Sequence, residues 1–363
     1  MNQFNPVEAR DAWLLGRVGI RAIETALPPF SMTQDEAMQR ARARAPGFAG
    51  MAGVFVNSGI ERRYSSVPLE WYDTPRGWRE SNATFVGNAL ALLEEVAVAA
   101  LASAGLDAAD IGATVLVTSS GLAIPSLESM LANRLGFSPR MQRTPVFGLG
   151  CAGGTTGLSR ATQIARAMPG ANVLLLVVEL GGLNVEFNPE SAAMFVSTAL
   201  FGDGAAALIL RSDAAPRDVA PSLAEVGPSG EHMWRDTGYV MGWEVMDNGL
   251  DVVLSGTLPR FTRENLKQAV DGFLETHGLG LADIDGYVVH PGGPKVLEAV
   301  EQALDIEPSA LRHSREVLRR FGNMSSPTVL FVLRETVAAG QRGRHLMMSF
   351  GPGFTASFAI VDI

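Results

Sequence analysis

Six aliphatic residues in a row, Val173 to Val178, stand between two polar segments, and short apolar runs return at Ala113 to Thr118, Phe201 to Leu210, Gly286 to His290 and Ser349 to Phe358. Runs this short, without apolar–polar alternation, predict strands buried on both faces. The stretches between them carry helical patterning: alanine- and leucine-rich residues 86–104, then Leu127 to Leu135, Leu158 to Ala167, a segment near Pro189 to Ala199, and one near Thr262 to Thr276. Residues 17–26 predict a first strand ended by Pro28-Pro29. Thr33-Gln34-Asp35-Glu36 has the T-x-x-E form of a capping box ahead of a helix through about Arg42. From there to about Asn82 the chain reads as irregular. Alternating strands and helices predict an α/β protein with a layered sheet and helices on its faces.

The order of elements repeats. After a polar connection from about Ser212 to Pro228, Ala282-Asp283-Ile284-Asp285 leads into Gly286 to His290 as Ala109-Asp110-Ile111 leads into Ala113 to Thr118. Phe321-Gly322-Asn323-Met324-Ser325-Ser326 stands where Val146-Phe147-Gly148-Leu149-Gly150-Cys151-Ala152-Gly153-Gly154 stood, and residues 349–358 echo residues 201–210. His290 and Asn323 are 33 residues apart, as are Thr118 and Cys151. The repeat predicts two pseudo-symmetric halves, residues 1–220 and 221–363, whose glycine-rich helix starts meet face to face with His290 beside them.

Composition narrows the class. With 47% apolar and 18% charged residues in a chain of 363, a substantial packed core is expected. The net charge of −9 argues against nucleic acid or an anionic membrane as the main partner, so an anionic ligand must be held by local charges. One cysteine excludes an internal disulfide and fits a reducing cytoplasm; five scattered histidines show no ligand-pair spacing, so no metal is expected. The N-terminus, with Glu8 and Asp11 early, lacks the form of a signal peptide, and no aliphatic run is long enough to cross a bilayer. A protein without membrane insertion is expected.

The lone Cys151 carries the chemistry. A thiol where glycines give way to a helix lies near unpaired backbone N–H groups and a positive dipole end, which favours thiolate. By itself a free cysteine is ordinarily a small buried hydrophobe. The repeat supplies partners: His290 to take the thiol proton or pair with the thiolate, and Asn323 to donate an amide N–H to a developing oxyanion. Together they suit acyl transfer through a thioester on Cys151.

Gly150-Cys151-Ala152-Gly153-Gly154, Leu200-Phe201-Gly202-Asp203-Gly204-Ala205-Ala206-Ala207, His290-Pro291-Gly292-Gly293-Pro294, Gly322-Asn323-Met324-Ser325-Ser326 and Gly351-Pro352-Gly353 occur in that order and resemble the motifs of the chalcone synthase-like type III polyketide synthases. The resemblance implies a thiolase-like, five-layered αβαβα fold and a homodimer. It implies acylation of Cys151 by a starter acyl-CoA, and stabilisation by His290 and Asn323 of the enolate formed when malonyl-CoA loses carbon dioxide. No cofactor is implied beyond the CoA thioesters. Phe201 resembles the family's gatekeeping aromatic, and Gly351, Pro352 and Gly353 the loop that shapes the cavity floor. Ser119, Glu179 and Ser325 fall where the family can place a hydrogen-bonded trio that activates water; a buried Glu179 needs such partners. Asn184 falls among cavity residues, and Ile124 before Pro125 resembles the loop that reaches across the dimer, often through a cis bond.

There are departures. Val252 replaces a second gatekeeping phenylalanine, and Gly181 and Gly182 replace bulkier cavity residues, which tilts the expectation towards medium or long acyl starters. Gly50, Gly53 and Asn57 align where plant members carry CoA-binding basic residues, leaving Arg62, Arg63 and Lys295, with Gly292 and Gly293, as the expected CoA contacts. A fatty-acid-initiation ketosynthase, fed by an acyl carrier protein, is the alternative within the fold. A degradative thiolase needs a second catalytic cysteine. A non-catalytic interaction protein has no reason to keep all three groups.

Overall fold

The computed structural model describes residues 17–184, 189–212 and 222–363. The N-terminal leader reading and the expected boundary between residues 220 and 221 lie outside them. Thirteen strands are present among the described residues: β1 Val18–Ala26, β2 Phe30–Thr33, β3 Arg62–Ser65, β4 Ile111–Thr118, β5 Gln142–Phe147, β6 Asn172–Leu180, β7 Asp203–Ser212, β8 Ala224–Met233, β9 Met241–Val245, β10 Leu250–Leu254, β11 Gly286–Val289, β12 Arg344–Gly351 and β13 Thr355–Asp362. Nine form one sheet in the order β11-β12-β13-β8-β1-β7-β6-β4-β5, and β2–β3 and β9–β10 form separate two-stranded ribbons.

The expected layering is present. The first half contributes β1, β7, β6, β4 and β5, the second β11, β12, β13 and β8; three residue pairs between β1 and β8 join them. Along β6, Val173, Leu175 and Val177 face a central core with the Gly153–Ala167 and Thr328–Ala338 helices, while Leu174, Leu176 and Val178 face the Trp78–Ala104 and Leu127–Leu135 helices. In the second half Met347 and Val361 face the same central core, and Leu346, Met348 and Ile360 face the outer Leu258–Thr276 and Pro294–Leu304 helices. The layers are therefore helix, sheet, helix, sheet, helix. Period-two alternation sends successive side chains of one strand into different cores, which is why these strands read as unbroken apolar runs.

Local expectations are largely met. Thr33 and Glu36 form the reciprocal capping box of the Gln34–Arg44 helix, and the Leu127–Leu135 helix has the expected bounds. The long helix begins at Trp78 rather than residue 86. It is apolar enough to span a membrane by composition, but half of its most apolar window is buried within the fold, as in a core helix. The main correction concerns residues 224–228, read as the end of a polar connection and observed as the first half of β8, which pairs with β13 and β1.

The central helices position the chemistry. The Gly153–Ala167 helix starts directly after the turn that holds Cys151, and its first residues press on the segment before the Thr328–Ala338 helix. A Cβ at Gly154 would stand 2.3 Å from the Ser326 carbonyl oxygen. Because backbone cannot move aside as a flexible side chain does, Gly154→Ala is expected to destabilise the fold by about 1–3 kcal/mol, the usual cost of overpacking. A urea unfolding midpoint equal to that of the unsubstituted protein would contradict this contact.

Candidate active site

Three chain segments converge on one small cavity of about 50 Å³ whose lining includes Cys151, His290, Asn323, Ser325, Phe201 and Pro352. Each arrives through a device legible in the local fold. Cys151 sits in the helical turn Gly150–Ala152, which Gly150 enters at φ +47°, where a Cβ would meet Pro352 at 2.7 Å. His290 follows β11 and is held by its backbone N–H donating to Met348 O at 2.9 Å. Asn323 follows the Arg312–Phe321 helix and is clamped to the chain at Phe201: its N–H donates to Leu200 O at 2.9 Å, and Gly202 N–H donates to Asn323 O at 3.0 Å.

The side-chain amide of Asn323 is oriented at both ends. Nδ2 donates to Gly292 O at 3.2 Å, and Oδ1 accepts from the Ser325 N–H at 2.8 Å. The Cys151 thiol reaches Ser325 Oγ at 3.5 Å and Asn323 Oδ1 at 4.0 Å. Ser325 adopts φ +60°, a left-handed conformation uncommon for a non-glycine residue, of the kind concentrated at functional sites. Both ring nitrogens of His290 are buried without a hydrogen-bond partner among the described residues. A buried polar group left open towards a cavity marks the place of a polar ligand atom.

Burial governs the electrostatics. It pushes the Cys151 thiol up to about 11, against the downward pull of Ser325 and Asn323, and pushes His290 down to about 3. Burial thus pulls both groups towards their neutral forms, against the pull of the helix start towards thiolate.

Other expected site residues divide. Val252 and Phe201 line the catalytic cavity and also a second cavity of about 160 Å³. Trp243, which sequence reasoning passed over, stands with them, its ring 6.4 Å from that of Phe201. Its only signal was a tryptophan in a short polar ribbon, β9. Gly292 lines the catalytic cavity, and Gly293 caps the Pro294–Leu304 helix. In the floor loop, Gly351 abuts the Leu149 carbonyl and the Ala152 side chain, Pro352 lines the cavity, and Gly353 makes the turn at φ +67°. Gly181 borders open space in the second cavity, whereas the room beside Gly182 is taken by the Tyr72 hydroxyl, 2.6 Å from where a Cβ would be.

Four expectations are corrected. Ser325 turns to the thiol, and it is Ser326 Oγ that lies 2.8 Å from Glu179; Ser119 meets Glu179 through its backbone N–H, while its hydroxyl accepts from Gly150 N–H at 2.9 Å. Asn184 lines a separate polar cavity, since its Nδ2 is spent on Ser120 O at 2.7 Å. Arg63 is not a CoA contact: it is buried and donates to the Thr198 and Phe201 carbonyls at the end of the Ala192–Leu200 helix, where a cation suits the dipole. Arg62 is exposed but turned to Ser31 Oγ, 2.9 Å away. Lys295 and Ile124 are both exposed, and the Ile124–Pro125 bond is cis.

Residues 79–214 match the family model described as chalcone and stilbene synthases, N-terminal domain, and residues 229–362 match its C-terminal domain. A 1,3,6,8-tetrahydroxynaphthalene synthase of Streptomyces peucetius subsp. caesius is 37% identical over 351 residues, covering 94% of this chain and 92% of that protein. The α-pyrone synthesis polyketide synthase-like Pks18 of Mycobacterium tuberculosis is 33% identical over 295 residues, covering 80% of this chain and 74% of that protein. Among solved structures, the tetrahydroxynaphthalene synthase of Streptomyces coelicolor superposes with a TM-score of 0.87 at 28% identity, covering 95% of this chain and 99% of that one.

The Cys151 thiol donates to the Ser325 hydroxyl at 3.5 Å; a thiolate would accept from that hydroxyl instead, so its loss withdraws stabilisation from thiolate more than from thiol. Ser325→Ala is expected to raise the apparent pKa of Cys151 by about one unit, since a hydrogen bond to a charged group is worth about 1.5–3 kcal/mol before partial solvation. The pH dependence of iodoacetamide alkylation measures it; an unshifted profile would remove Ser325 from this role.

Proposed function

The chain belongs to the chalcone and stilbene synthase family, the type III polyketide synthases, and from that premise we propose that it condenses an acyl-CoA starter with malonyl-CoA and cyclises the product. The observation that carries the reading is the convergence of Cys151, His290 and Asn323 on one small cavity. In the first step the Cys151 sulfur attacks the starter thioester; His290 takes the thiol proton, and CoA leaves with a proton. Malonyl-CoA then enters and loses carbon dioxide, and the electron pair of the broken bond becomes an enolate. The imidazole N–H of His290 and the Asn323 amide, which line the same cavity as Cys151, supply the donors to that enolate oxygen in this reading. The enolate carbon attacks the Cys151 thioester, expels the thiolate, and leaves a β-ketoacyl-CoA longer by two carbons. The chemistry needs the CoA thioesters and no further cofactor.

Beyond the wall formed by Phe201, Trp243 and Val252, the second cavity is lined mainly by apolar groups, including Met32, Ala41, Leu69 and Met194. It supports an aliphatic starter whose chain passes that wall. With Arg63 turned inward, the groove lined by Ser58, Pro294, Arg312 and Arg315 supports the CoA phosphates better. Its walls lead to the catalytic residues, Pro294 following His290 and the Arg312–Phe321 helix preceding Asn323. Lys295 lies beside it. A homodimer is supported by Ile124 (98% exposed), Leu122 and Phe147 on the margin where β5 ends the sheet. An apolar margin at an open sheet edge needs covering. The reducing cytoplasm suits a protein whose one cysteine must stay reduced.

Incubation with labelled malonyl-CoA and a panel of aliphatic and aromatic starters tests the reading. Cys151→Ala should yield no labelled polyketide, and His290→Gln and Asn323→Ala should each slow malonyl decarboxylation by roughly 10²–10⁴-fold, the span typical of one acid–base or oxyanion group. Label incorporation that survives Cys151→Ala would refute it.

The starter class has its own test. A Cβ at Gly181 would meet nothing within 4 Å, so Gly181→Leu is expected to project into the volume a long chain needs. At about 0.8 kcal/mol per excluded methylene, kcat/KM for a long starter should fall by about tenfold or more while a short starter is unaffected. An equal effect on both would place the chain elsewhere.

A further inference from the structure

Glu179 is 2% exposed near the end of β6 and carries no ion-pair partner among the described residues. Its two oxygens share the Ser119 N–H at 3.1 and 3.0 Å, and Thr118 Oγ1 lies 3.5 Å from Oε2. The contact to Ser326 is different in kind. Ser326 Oγ stands 2.6 Å from the Gly150 carbonyl oxygen and 2.8 Å from Glu179 Oε1. A serine hydroxyl has one proton and a carbonyl has none. The one Ser326 proton can serve only one of these acceptors, so both contacts are hydrogen bonds only when Ser326 donates to Gly150 and the proton between Ser326 and Glu179 comes from the glutamic acid.

We infer that Glu179 is a neutral carboxylic acid that donates a hydrogen bond to Ser326 and through it positions the Gly150 carbonyl, and so the turn that presents Cys151. Burial points the same way, holding this carboxyl up at about 7 against the serine donors that favour its ionised form. The inference rests on Cys151 being the nucleophile, and it gives Glu179 a role opposite to that of a base: in this state it has no lone charge with which to activate water. Glu179 is a positioning residue.

The surroundings leave few other groups to respond. The end of β4 presents Thr118, Ser119 and Ser120, the segment before the Thr328–Ala338 helix presents Ser326, and Gly204 pairs with Glu179 across β7. Asp203, next on β7, is turned to Ser66 and the Gly181 and Gly182 N–H groups. Cys151 is the titratable group that senses Glu179, whose charge opposes thiolate. Ionisation of Glu179 therefore has two consequences: Ser326 turns its proton to the carboxylate and leaves Gly150, and a negative charge appears near the sulfur. Both act against the nucleophile as pH rises through about 7.

Infrared difference spectroscopy and alkylation kinetics test this on the intact protein without requiring polyketide turnover. Expected is a protonated-carboxyl band near neutral pH that vanishes in Glu179→Gln and fades in the unsubstituted protein as pH rises through about 7. Gln keeps the donor and removes the charge, so Glu179→Gln should alkylate at Cys151 with iodoacetamide severalfold faster than the unsubstituted protein above that pH, with a single ionisation in its profile. If that variant does not fold, Ser326→Ala serves: the band should persist and move to higher frequency as the acid loses its acceptor. Absence of the band, an unmoved band in Ser326→Ala, or tenfold slower alkylation by a folded Glu179→Gln would each overturn the inference. Malonyl-CoA turnover assayed alongside separates this failure from failure of the polyketide reading, since a missing band with intact turnover touches Glu179 alone.

Discussion

The Cys151 turn and the Asn323–Ser326 segment touch through backbone, and the site depends on that contact. A Cβ at Gly153 would lie 2.5 Å from Ser326 Oγ, and one at Gly154 closer still to the Ser326 carbonyl. Two chain segments that approach this closely must exchange hydrogen bonds, because water cannot reach the groups they bury. Ser119 takes the Gly150 N–H and Ser326 takes the Gly150 carbonyl, so the peptide before the nucleophile is held from both sides. Asn323 is pinned in turn to Leu200 and Gly202. The geometry of the candidate site is thus a by-product of satisfying buried backbone where the two halves of the fold meet.

The same burial sets the charge state. Desolvation is the first cause at Cys151, Glu179 and His290, and in each it favours the uncharged form. A site of neutral groups is poor at holding a resting ion pair. It is well suited to stabilising charge that appears only during reaction, because donors fixed in a low-dielectric cavity act more strongly on an enolate than water-exposed ones. A neutral imidazole also still has an N–H to donate, and nothing in its resting surroundings competes for it.

Much of this was legible in the chain. Strands buried on both faces wrote themselves as unbroken apolar runs, and the repeat placed His290, Asn323 and Cys151 at equivalent corners. β8 was missed because its residues, Ala224 to Met233, mix glycine, proline and charge. It joins β1 through three pairs only and runs into exposed residues at its far end, so pairing rather than hydrophobicity makes it a strand. The inward turn of Arg63 was missed because a basic residue in an irregular stretch carries no mark of burial; its partners, the carbonyls of Thr198 and Phe201, are over a hundred positions away. Ser325 and Ser326 were interchangeable on paper. Only the left-handed backbone at Ser325 decides which hydroxyl faces sulfur and which faces Glu179.

Specificity and chemistry are held by elements of different firmness. Cys151, His290 and Asn323 hang on the central helices and the nine-stranded sheet. Trp243 and Val252 belong to the β9–β10 ribbon, which pairs with no strand of that sheet and is tied at its base by the Leu250 N–H donating to Asn184 O at 2.8 Å. A two-stranded ribbon is only marginally stable alone, so its placement depends on the side chains it buries. Changes there should move the wall between the two cavities while leaving the Cys151 turn in place, because the hydrogen bonds that hold Gly150 come from Ser119 and Ser326, outside the ribbon. Under the proposed function, the fold separates the residues that would select the entering chain from those that would act on it, so substitutions in the first group should leave the second undisturbed.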